Sequence, residues 1–87
     1  MACTAKQMTY GHGNSIILLV AEKMGLEPSL TDAAKRHLRG EETHPMTGAA
    51  IEREAERMND LLKHDASLIA QANGLAEGLK VEYGFTA

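Results

Sequence analysis

Residues 46–80 form a proline-free stretch in which apolar side chains recur at helical spacing, with a single acid, Asp65, among them. This stretch constrains the fold more than any other feature. At roughly 100° per residue, Ile51, Ala55, Met58, Leu61, Leu62, Leu68, Ile69, Ala72, Leu75, Ala76 and Leu79 fall on one broad face. Glu52, Arg53, Glu56, Arg57, Lys63, His64, Gln71 and Glu77 fall mostly on the other. Ala55, Met58, Leu62, Ile69, Ala72, Ala76 and Leu79 keep heptad a/d spacing, and Asp65 occupies the missing d position.

Length turns this pattern into a choice. A continuous helix over 46–80 would span about 50 Å, whereas a compact domain of this size has a radius of gyration of about 12 Å. Either the segment breaks near 63–67, with Asp65 capping a second helix of an αα-hairpin, or it stays straight and another copy covers its apolar face. Lys63-His64-Asp65-Ala66 contains neither Gly nor Pro, which favours the straight helix and a homodimer or higher oligomer. The expected interface is Met58, Leu61, Leu62, Asp65, Leu68, Ile69, Ala72 and Leu75. A bare carboxylate on such a face is costly, so Asp65 must cap, reach solvent, or set register between helices. No second acid or nucleophile is tied to it by spacing.

Upstream, the chain reads as two short helices. Ile16-Ile17-Leu18-Leu19-Val20-Ala21 is apolar nearly all round, which marks a central buried element. A buried strand is the competing reading. The continuation Ala-Glu-Lys-Met and the following Gly25 favour a helix over about 15–24, capped by Asn14 or Ser15. Ser29-Leu30-Thr31-Asp32 fits a capping box for a second helix ending near Arg39 and Gly40. Its inner face is Leu30, Ala33, Ala34, His37 and Leu38. Pro45 suits the first turn of the next helix. Residues 1–9 lack periodicity and read as a flexible arm. Val81, Tyr83 and Phe85 alternate, so 81–87 reads as an extended tail. The expected fold is one small all-α domain over 1–87: two short N-terminal helices, a long amphipathic helix that is continuous or broken near 65, and an extended tail.

Composition narrows the function classes. With 87 residues and one cysteine, neither a disulfide nor a cysteine-pair zinc site is available, and oligomerisation is a common remedy for so small a core. One thiol is the usage expected of a reducing compartment, and no run reads as a secretory signal or membrane span. A cytoplasmic protein without membrane contact is expected. The net charge of −3 gives nucleic-acid binding no support.

Three features carry chemistry. The turn Tyr10-Gly11-His12-Gly13-Asn14-Ser15 precedes a helix, where backbone N–H groups can cradle an anion. It matches neither a phosphate-loop pattern nor GxGxxG, and a plain capped turn is the commoner use of such residues. The histidines His12, His37, His44 and His64 include no i,i+4 pair, so no metal site and no cofactor are expected. Lys35, Arg36, His37 and Arg39 could belong to a helix-turn-helix, but the connection over 40–45 is long for one, and Glu52, Glu54 and Glu56 follow. Ala66, Ala70, Gly74 and Gly78 leave a flat strip of small residues; close approach by another helix and plain fraying are equal readings.

With no nucleophile–base pair or metal set, an enzyme is not expected. The first expectation is a non-enzymatic interaction protein, a regulator or inhibitor acting as a homo-oligomer with a protein partner. The alternatives are a protein that binds or sequesters a small anion or nucleotide on the turn at 11–13, and a DNA-binding regulator using Lys35, Arg36 and Arg39.

Overall fold

The computed structural model describes Met8 and residues 11–85. Four helices follow in order: α1 (His12–Lys23), α2 (Thr31–Leu38), α3 (Pro45–Leu62) and α4 (Ala66–Glu82). There is no strand among the described residues. The expected arm lies outside them apart from Met8, which packs partly buried against the core.

Helix α1 is the hub. Ile16, Leu18, Leu19, Val20 and Ala21 are each 2% exposed or less, because the run 16–21 is apolar nearly all round and the other three helices all rest on α1. Fully burying a side chain of the Val, Leu or Ile kind contributes about 1.5–3 kcal/mol, so this one run supplies a large part of the stabilisation. Against it pack Ala33, Ala34 and Leu38 from α2, Ile51, Ala55 and Met58 from α3, and Leu79 from α4. Contacts between α2 and α3 are sparse, and neither packs along α4.

Three helices stop in the same way. Gly25, Gly40 and Gly84 take φ of 80°, 80° and 83°. At each, two bonds close a Schellman motif: Leu26 N–H to Ala21 C=O with Gly25 N–H to Glu22 C=O, Glu41 to Arg36 with Gly40 to His37, and Phe85 to Lys80 with Gly84 to Val81.

The fourth stop corrects the expectation of a straight helix. The chain breaks at residues 63–65, and Asp65 is the N-cap of α4, accepting from Ser67 N–H at 2.8 Å and Leu68 N–H at 3.4 Å. The longest dimension is 43 Å and the radius of gyration 12.7 Å, less than a straight segment would require. No glycine is needed because no residue of the joint takes a positive φ: Lys63 keeps φ −69°, ψ −14° and Asp65 is extended (φ −139°).

Other local expectations change too. Helix α1 starts at His12 behind Gly11 (φ 96°), without a side-chain cap among the described residues; Ser15 is an interior, fully buried residue. The capping box at 29–32 does not form. Leu30 takes the N-cap position of α2 with φ 65° and is 37% exposed, because Ser29 is engaged elsewhere. The expected extended tail over 81–87 does not form at 81–84: Val81 and Glu82 are still helical, Tyr83 and Gly84 make the turn that ends α4, and Phe85 after it is buried. Residues 86–87 lie outside the described range.

What engages Ser29 is Glu54 of α3. Its carboxylate accepts from Ser29 N–H at 2.7 Å and takes both Nε and Nη2 of Arg57, at 2.9 and 2.7 Å. The Arg57 bonds first, then the Ser29 amide, hold the Glu54 carboxyl down at about 2, below its ordinary 4.5. A depressed carboxyl stabilises the fold above its unfolded pKa, and that contribution is lost as protons bind the folded state. Acid titration of stability should therefore show a loss between pH 4.5 and 2. Glu54→Gln should remove part of it, and an unchanged acid limb in that variant would contradict the assignment.

Candidate functional site

Among the described residues, concave regions lie at opposite ends of α3. The first sits where the first turns of α1 and α3 meet the last turn of α2. Ser15, locked inside α1, brings its Oγ to 2.8 Å from His37 Nδ1 on α2. This bond crosses between helices and sets the plane of the imidazole. His12 lies against the same ring at 4.9 Å between centroids, and against Phe85 at 4.6 Å. His37 also packs on Gly11: a Cβ there would come within 3.2 Å of His37 Cε1. Gly11 is thus required twice, by its left-handed backbone and by the ring beside it.

Beside this cluster opens a cavity of about 380 Å³ bordered by Gly11, Asn14, His37, Thr43, His44 and Glu52. His44 caps α3, its Nδ1 accepting Met46 N–H at 3.1 Å, so that nitrogen carries no proton and Nε2 is the donor. The cleft therefore offers an imidazole N–H from His44, the Asn14 amide and the Thr43 hydroxyl. Such a set can hold a small polar ligand. Ser15 and His37 do not form an accessible nucleophile–base pair, because Ser15 is shut off from solvent. Among the described residues no three His, Cys, Asp or Glu side chains gather as a metal site requires.

The turn residues named from sequence are partly dispersed. Gly11 and Asn14 border the cleft, His12 is packed against two rings, Gly13 is exposed and Ser15 is enclosed. Tyr10 lies outside the described residues. Sequence reasoning missed His37, Thr43, His44 and Glu52 as neighbours of this turn. The approach of Ser15 to His37 across 22 residues leaves no local signal. The basic cluster meets acids: Lys35 with Glu22 and Arg36 with Glu42 at 3.7 Å, and Arg39 with Glu41 at 3.1 Å.

The second region is the elbow between α3 and α4. Asn59, Leu62, Lys63, Ile69, Ala72 and Asn73 border a cavity of about 270 Å³ there. Of the residues expected to form an interface, Met58 and Leu62 are buried in the chain's own core. Leu68, Ala72 and Leu75 are half-buried, while Leu61, Asp65 and Ile69 are exposed. Gly74 and Gly78 have open space where a side chain would stand, so at these two positions the small-residue strip meets nothing among the described residues. No helix among the described residues is long and apolar enough to cross a membrane. Comparison with family models, with curated proteins and with solved structures gave no match.

Gly11→Ala should cost about 1–2 kcal/mol from the left-handed backbone alone, with more from the clash on His37. Gly74→Ala, on an open helical face, should be neutral or stabilising. Chemical denaturation of both variants checks the contrast, and equal stabilities would contradict it.

Proposed function

We propose that the protein is a non-enzymatic interaction module that self-associates through the elbow and the outward side of α4. One observation carries this reading. From 66 to 76 the chain has no ionisable side chain, yet Leu79 is the fully buried residue of α4 and much of 66–76 faces outward. A helix surface exposed throughout life ordinarily carries charge, and charge is depleted at the centre of interfaces. Leu61 and Ile69, 49% and 40% exposed at the elbow, give that surface its apolar weight. A standard interface of roughly 800 Å² per partner would cover about a seventh of the 5489 Å² surface.

A second reading is favoured by the histidine-bordered cleft, which suits a small polar ligand.

Native mass spectrometry of protein purified from its own cells distinguishes these readings. The first expects a dimer or higher mass that Leu61→Glu with Ile69→Glu weakens at least tenfold. A strict monomer at tens of micromolar would refute it. A small-molecule adduct on a monomer would establish the second reading instead.

A further inference from the structure

We infer that self-association proceeds by exchange of α4: the joint at 63–65 straightens, α3 and α4 become one helix, and each α4 docks on α1 of a second copy. This rests on the reading that the protein self-associates through the elbow; it places α1 of the second copy against the inner side of α4 and names the segment exchanged.

Four observations converge. First, α4 is held by α1 and makes no comparable packing with α2 or α3. A second copy offers α4 the same α1 surface, so exchange preserves almost every contact it makes. Second, the α3–α4 joint differs from every other helix end in the described residues. The others stop at a left-handed glycine, which commits the chain to turning. This one has no such residue: neither its cap, Lys63, nor His64 after it takes a positive φ, and the extended Asp65 starts α4. Third, the heptad spacing at 55, 58, 62, 69, 72, 76 and 79 runs through the joint without a change of phase, although the folded chain turns there. A hairpin does not require that continuity, whereas a straight helix does. Fourth, the apolar side chains left exposed by the bend, Leu61 and Ile69, flank the joint where two straightened helices would cross.

The occupant of the docking surface is therefore a second copy of this chain. Short joints between elements are the usual route to such exchange. Asp65 sets the balance. In the bent form its carboxylate caps α4 through Ser67 and Leu68. In the straight form it loses that role, and on the seam it would face its own counterpart, charge against like charge. The residue is thus a brake on exchange, and the acid that stood out on the apolar face has a task in both forms.

The test uses full-length protein with Cys3→Ser and spin labels on cysteines replacing Arg53 and Glu77, both exposed. Labelled chains are diluted in excess unlabelled chains, so only distances within one chain are read. A straight helix places these positions about 36 Å apart; the bent chain holds them closer. The dimer fraction should show the long distance, the monomer fraction the short one. Asp65→Ala should tighten dimerisation at least tenfold. Lys63→Gly with His64→Gly, at an exposed non-helical joint, should weaken it at least tenfold while leaving the monomer's circular dichroism intact. A dimer that keeps the short distance would overturn exchange and leave self-association standing. Protein that stays monomeric in both the natural and Asp65→Ala forms would overturn both.

Discussion

The packing of three helices on α1 is the constraint on which the structure depends. An 87-residue chain with three aromatic residues cannot build several layers of core, so one aliphatic helix is enclosed and the rest are arranged around it. The run 16–21 is apolar on all sides, and each side needs a cover. Helix α2 supplies two alanines and a leucine, α3 a stripe at i, i+4, i+7, and α4 a single deeply buried leucine. Because α2 and α3 touch little and α4 packs along neither, removing one cover leaves the other two attached.

That unequal sharing shapes the surface. Helix α3 buries Ile51, Ala55, Met58 and Leu62 and turns a charged face outward, with Glu54 and Arg57 paired on it. Helix α4 is seventeen residues long, yet it buries little and carries no charge over its first eleven positions. Within a lone chain the composition of α4 is hard to explain by packing. It makes sense if α4 has a second environment, whether on the outside of a neighbouring copy or in its interior.

Much of this was legible in the sequence, for physical reasons that differ from element to element. Helix α1 is legible as the buried centre because an all-round apolar run admits few other fates. The stops at Gly25 and Gly40 and the start at Pro45 were legible because backbone chemistry at those residues is local. Asp65 is legible as the place where a straight and a bent segment diverge, but the bend itself is not, because a joint in which no residue takes a positive φ needs no glycine. The capping box at 29–32 failed because Glu54, far along the chain, takes the Ser29 amide. The cleft was half legible: the glycine turn was visible, but its pairing with His37 and His44 is tertiary. Phe85 was placed on an extended tail, although the glycine before it lets the chain turn the ring into the core.

The hub arrangement is tested most directly by native-state hydrogen exchange, residue by residue, at low denaturant. Amides of α1 should exchange only through global unfolding. Those of α4 should exchange through a smaller opening with a lower free energy and weaker denaturant dependence, because α4 can leave without disturbing α2 or α3. If α4 and α1 exchange at the same free energy, or if α1 opens first, α1 is not the hub and α4 is not separable from it.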